Sequence, residues 1–371
     1  MLSILFSKVF PMTSRERWLA ALNFEPVDCI PFWPKIDGAY LRCHGAALGA
    51  KSALEIQRLL GSDAHAGVAA PFCGRRVKTR VEWKPAENGV TNILYETPHG
   101  NMTARHVFDE PSCASHPAEF PIKTREDILR MTSVYEDTEV CYDADANEKS
   151  IARCAELGET ASTMAGIGES PLMEFVEWLA GVENAHFFLA DYPDETQALF
   201  DAMHRVLRRK VEIAADTSPA DTLLLSENTS TTLISPGQYR ALNKPMLVEY
   251  ADICRGAGRR LVLHMCGHLK ALLPDLAEVG ATAFEAFTSP TVGNTTLLDG
   301  RLACPDVCLI GGTNAALWMR DNAPAIIAQL EHDIAELPHR RGIVISSAGV
   351  MPALCSPETI RRVCEWVHGI A

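Results

Sequence analysis

The sequence predicts an α/β protein built as one (β/α)8 barrel, and three observations predict it. Short apolar runs recur at about 29–34, 65–70, 161–166, 222–226, 261–265, 281–285, 307–311 and 342–347, with helical periodicity between the later ones. No glycine fingerprint of the GxGxxG kind follows the first run, which speaks against a doubly wound dinucleotide fold. The length of 371 residues suits one barrel of roughly 250 residues carrying additions.

Taken in order, residues 1–11 read as an apolar extension, too short to span a bilayer and without a small-residue cleavage site. The fold starts at Thr13, with a helix to about Leu22 that puts Trp18, Leu19 and Leu22 on one face and has Thr13 or Ser14 as its cap. Residues 12–371 are expected to form a single barrel domain, interrupted at about 78–160 by an insertion in an early loop. There Arg80–Trp83 and Val90–Tyr95 flank Glu87-Asn88-Gly89, a hairpin signal, and Met102–Phe108 reads as a third strand. A helix is expected at Thr124–Met131 and another at Leu269–Val279. Insertions on the carboxyl-side loops of a barrel normally build the substrate pocket.

Composition narrows the class. Apolar content of 47% and charged content of 22% are those of a soluble globular chain. A net charge of −13 argues against a nucleic-acid or acidic-lipid surface. The twelve cysteines are scattered, with no CxxC pair and no secretory signal, so free thiols in a reducing cytoplasm are expected.

The motif with most chemical content is His264-Met265-Cys266, at the end of the run 261–265 and ahead of Gly267. Two residues apart on a strand, His264 and Cys266 share a face. Imidazole nitrogen and thiolate sulfur together suit zinc. Glu285 ends the next run, 21 positions on, and as a neighbouring strand end it completes a three-ligand set with one position open, the pattern of a catalytic zinc. Against this stands the plainer reading of a packed thiol, a hydrogen-bonded imidazole and a salt-bridged carboxylate. Glu227 closes the run 222–226 and reads as a fourth ligand, a supporting partner, an acid/base group or a loop cap. Trp33, Lys35, Asp37 and Tyr40 follow the first strand; with Asn314 and Trp318 after the seventh they are expected to line a pocket for a flat organic substrate. Cys355 is read first as a packed thiol.

Arg15-Glu16-Arg17-Trp18-Leu19-Ala20-Ala21-Leu22, Glu25-Pro26-Val27-Asp28, Leu263-His264-Met265-Cys266-Gly267 and Ser356-Pro357-Glu358-Thr359-Ile360 resemble segments of the uroporphyrinogen decarboxylase superfamily, from about Thr13 to the C-terminus. The resemblance implies a (β/α)8 barrel and one of two chemistries. The decarboxylases carry Arg-Gln-Ala-Gly-Arg after the first strand, where this chain has Pro34-Lys35-Ile36-Asp37-Gly38. The other branch comprises corrinoid-linked methyltransferases, whose zinc is held by His-x-Cys and a later Cys. His264 and Cys266 match the pair, whereas the later position reads Ala348-Gly349. Trp33-Pro34-Lys35 is similar to the anaerobic O-demethylase methyltransferases. The resemblance therefore implies zinc, a corrinoid (cobalamin) acceptor on a partner protein and a methoxylated small-molecule donor. The alternatives are methyl transfer from a methylated corrinoid to a thiol, a decarboxylase of a porphyrin-like substrate and a non-catalytic tetrapyrrole binder. No nucleic-acid or membrane partner is expected.

Overall fold

The computed structural model describes residues 11–110 and 113–370, so the expected extension at 1–11 lies, Pro11 apart, outside the described residues. Eight strands form one sheet: β1 (Phe32–Trp33), β2 (His65–Val68), β3 (Ser162–Gly168), β4 (Thr222–Ser226), β5 (Arg260–His264), β6 (Ala283–Phe287), β7 (Cys308–Gly311) and β8 (Ile343–Ser346). Their order is β1-β8-β7-β6-β5-β4-β3-β2, and each of the seven pairings is parallel. The Asp63 N–H donates to the Phe32 carbonyl at 2.9 Å and bridges the seam between β1 and the approach to β2. This is the expected (β/α)8 barrel, with every strand on one of the eight apolar runs.

The first helix, α1 (Ser14–Leu22), is capped by Thr13, and Glu16 returns the bond in a capping box. Trp18 and Leu22 plug the amino end of the barrel against Trp33, Val262, Ala283, Cys308, Ile310 and Val344. The larger core lies between the strands and the surrounding helices.

The insertion is a four-stranded antiparallel sheet, Arg80–Pro85, Val90–Thr97, Gly100–Asp109 and Ala114–Glu119, with a helix at Arg125–Glu136. Asn88 and Gly89 both have positive φ, as the expected hairpin turn requires. Two further strands, Phe72–Arg75 and Glu139–Tyr142, pair antiparallel at its base. One helix falls short of expectation. Of the stretch 269–279 only Leu273–Leu276 is helical, because Pro274 lacks the N–H that would extend the helix backward. Among the described residues, no helix is long and apolar enough to cross a membrane.

Candidate functional site at the carboxyl rim of the barrel

The strand register builds the centre of the site. His264 is the direct partner of Glu285 across β5 and β6. The His264 Nδ1 and Glu285 Oε2 are hydrogen-bonded. Lys35, just past β1, places its ammonium 2.8 Å from the other carboxylate oxygen, Oε1. The same ammonium lies 5.3 Å from the ring centre of Trp33. Glu285 is only 2% exposed, so this carboxylate is buried between two cationic partners. Burial pushes its pKa up, but Lys35 and His264 outweigh that and hold it down at about 2. For His264, burial disfavours charge, yet Glu285 and the Cys266 thiol raise it to about 9.

Cys266 points its Sγ to Asn228 Oδ1 at 3.1 Å, and the Asn228 amide donates to Glu177 Oε2 at 2.9 Å. Gly267 holds the turn after Cys266 at φ 142°, and a Cβ there would stand 2.6 Å from that of Ser230. Lys35, Asn228, Ala286 and Ala348 are non-glycine residues at positive φ, four of eight among the described residues. All four lie at the carboxyl ends of barrel strands, and backbone strain of this kind gathers at functional sites. The register of β6 against β7 shifts between Glu285 and Phe287, a bulge that re-aims the strand end.

Beneath these residues the barrel is floored. Trp33 packs on His65 at 4.5 Å between ring centres and on Trp18 at 5.6 Å. Burial holds His65 neutral by lowering its pKa to about 4. Gly166 is the register partner of Leu224, which packs into the barrel floor, and Gly67 is paired with Met164, two residues earlier on the same face. A Cβ at either glycine would meet nothing within 4 Å, so the rim opens into a hollow on that side.

The other expected site residues are placed differently. Asp37 caps the helix Gly38–Leu48, accepting from the Tyr40 N–H. Tyr40 is fully buried and donates its hydroxyl to the Cys355 carbonyl at 3.0 Å. Asn314 caps the helix Ala315–Trp318 and donates to Ser289 Oγ and the Pro290 carbonyl. Trp33 is part of the barrel floor. All four are tied into the fold by these contacts, and Tyr40 and Asn314 have almost no exposed surface. Trp318 is likewise buried, with its indole N–H on Thr313. Glu227 is fully buried and accepts from the Ser170 N–H and Oγ and from Asn243 Nδ2 at 3.1, 2.9 and 2.8 Å. It joins the segments that follow β3 and β4, and burial raises its pKa to about 7 despite those donors.

Among the described residues, no group of three or more His, Cys, Asp or Glu is arranged to hold a metal ion. By donor type the set at the rim fits zinc: an imidazole that ends β5, a thiol two residues past it and a carboxylate on β6 opposite the imidazole.

Sequence reasoning missed Glu169, Glu177 and the cavity beside them. Glu169 directly follows β3 as Glu227 directly follows β4, so its position at a strand end was the available signal. Glu177 lies on a single π-helical turn, Phe175–Leu179, a feature frequent at functional sites and without a sequence pattern of its own. A cavity of about 710 Å³ opens between the insertion sheet, the helix Pro193–Thr217 and the carboxyl end of β3. The expectation that the insertion builds a pocket locates this cavity, though not its lining.

Charged side chains gathered at the carboxyl ends of the strands, above a plugged floor, are the layout in which barrel enzymes hold their sites. The chain belongs to the uroporphyrinogen decarboxylase family: the model for Uroporphyrinogen decarboxylase (URO-D) matches residues 118–370, more than half of it. No curated protein matches. Among solved structures, a methyltransferase from Methanosarcina mazei superposes with a TM-score of 0.59 at 16% identity, over 96% of this chain and 98% of that one. A provisionally named vitamin-B12 independent methionine synthase from Listeria monocytogenes covers 92% and 98% of the two chains at 12% identity, with a TM-score of 0.43, too low to mark a common fold.

Proposed function

We propose that this chain is a methyltransferase that takes a methyl group from a methoxylated donor, an aromatic methyl ether, and passes it to the cobalt of a corrinoid carried by a partner protein. The observation that carries this reading is the placement of His264 and Cys266 at the end of one barrel strand beside Glu285 on the next. The likeness to the Methanosarcina mazei protein supports the fold, so the reaction rests on the residues of the site.

His264, Cys266 and Glu285 would hold one zinc ion. Bound there, zinc supplies a Lewis acid for the ether oxygen, where charge develops as the carbon–oxygen bond breaks. The protein's own groups prepare that site. Lys35 holds the second oxygen of Glu285 and keeps the carboxylate ionised. Asn228 orients the Cys266 sulfur and is fixed in turn by Glu177. The open space over Gly67 and Gly166 would take the donor's methyl group. The reaction needs help at the leaving oxygen because a phenolate leaves poorly, while cobalt(I) is already a strong nucleophile.

Transfer to a thiol would call for a second sulfur at the zinc. Ala348 stands at that place, and Cys355 is buried with its Sγ 3.8 Å from Asp321 Oδ1. Elemental analysis of the purified protein tests the reading. About one zinc per chain, with most of it lost in His264→Ala, is the expected result. A metal-free preparation that is fully active would overturn it.

A further inference from the structure

We propose that the cavity beside the barrel rim is a binding site for a small organic ammonium cation, one bearing N-methyl groups. This goes beyond the methyl-ether reading and stands without it. The juxtaposition that points to such a ligand is a box of aromatic faces closed by a carboxyl group with a free oxygen.

The walls are Trp83, Tyr95, His106 and Trp178. His106 stands edge-on to Trp83 at 5.5 Å between ring centres and tilted against Trp178 at 6.0 Å. Burial lowers the pKa of His106, so at neutral pH it offers an uncharged ring. The deep end carries Glu169 and Glu174. Glu174 accepts from the Tyr135 hydroxyl at 2.6 Å and has Lys210 nearby to balance it. Glu169 is different. Its Oε1 is buried with no hydrogen-bond partner. Its surroundings are carboxylic: Glu177, Glu174 and Glu227 all act on it, and the Trp178 N–H is a donor to it. Burial and these neighbours push its pKa up to about 10, so at neutral pH Glu169 is protonated.

A quaternary or tertiary ammonium is complementary to this lining. Its methyl groups pack on the aromatic faces, which attract a cation through their quadrupoles, and its charge faces the free oxygen of Glu169. The lining also carries two cations, Arg76 and Lys210, and each has partners of its own, Lys210 balancing Glu174. The Arg76 Nε donates to Thr138 at the exposed rim, and the Lys210 ammonium lies over the Phe72 ring. An ammonium ligand would meet the carboxyl groups of Glu169 and Glu174 at the same end of the lining. A register shift of β3 against β4 between Leu224 and Leu225 turns Gly168 and Glu169 out of the barrel wall toward the cavity.

Binding has a signature of its own. A cation beside Glu169 favours its ionised form, so uptake near neutral pH releases a proton to the buffer. The test is calorimetric titration of the whole chain with choline and with 3,3-dimethyl-1-butanol, its uncharged isostere, in two buffers of different ionisation enthalpy. Tryptophan emission is followed in parallel. Neither zinc nor a corrinoid is needed, so failure here is distinct from failure of the methyl-transfer reading. Choline should bind at least tenfold more tightly than the isostere, release up to one proton and change the emission of Trp83 and Trp178. Glu169→Gln should abolish the proton release and most of the preference for charge. Trp83→Ala, at a half-exposed position on an edge strand that leaves folding safe, should weaken choline several-fold. Equal binding of the two probes, binding unaffected by either substitution, or no binding of choline to the native chain would each overturn the proposal.

Discussion

Glu177→Gln should make the protein more stable at pH 8 than the native chain while leaving the two alike at pH 5. Glu177 is buried, and burial raises its pKa from the ordinary 4.5 to about 7, with Asn228 and His264 restraining the rise. Between those values the folded protein keeps a proton that the unfolded chain has lost. The unfolded state therefore binds fewer protons, and stability falls as the pH rises through this window. At about 1.4 kcal/mol per pH unit, the interval from 4.5 to about 7 amounts to roughly 3 kcal/mol. Glu169 and Glu227 share the same field, so neutralising one member returns about 1–3 kcal/mol. Over 371 residues, with an unfolding entropy of about 2.1 cal/mol/K per residue, this is a rise in Tm of about 1–4 °C. The substitution fits sterically. The amide oxygen still accepts from Asn228, and the amino group replaces an oxygen, Oε1, that is buried without a partner. Thermal melts of both proteins from pH 5 to 8 at constant ionic strength give the answer. Parallel curves for the two proteins would refute the reasoning, because they would mean that Glu177 titrates as an ordinary exposed carboxylate.

Lys35→Met should destabilise the fold by about 3 kcal/mol, the low end for breaking a buried ion pair because His264 remains beside Glu285; denaturant unfolding measures it. Trp33→Ala should cost about 3–5 kcal/mol of stability through the void left in the barrel floor, a loss visible by calorimetry with no substrate present. Cys355→Ser should keep its zinc and Cys266→Ser should lose it; equal loss in both would make Cys355 a ligand.

The barrel was legible because most of its strands, β6, β7 and β8 above all, are buried along their length and so read as continuous apolar runs. The hairpin turn was legible because Asn88-Gly89 supplies two positive-φ positions. The fourth strand of the insertion, Ala114–Glu119, carries Pro117 and no alternation, and only its neighbour Gly100–Asp109 makes it a strand. At the site, the pairing of His264 with Glu285 could be read because a 21-residue spacing is one β/α unit, although β6 runs on to Phe287 past the expected end at Glu285. The capping by Asp37 and Asn314 went unread for a physical reason. A polar side chain just after a barrel strand also stands just before a helix, where capping is its commonest task. Glu169 and the aromatic box were not legible, because they meet only when the insertion folds back over the end of β3.

The most direct measurement of the central claim is methyl transfer itself. Zinc-loaded protein is mixed with an aryl methyl ether and a cobalt(I) corrinoid, and the conversion to methylcobalt(III) is followed by absorbance with the freed phenol quantified alongside. One phenol per methylcobalt, loss of turnover on chelation, and loss in His264→Ala are expected. Turnover that survives removal of the metal, or carbon dioxide released from a carboxylated tetrapyrrole with no methyl transfer, would contradict the claim.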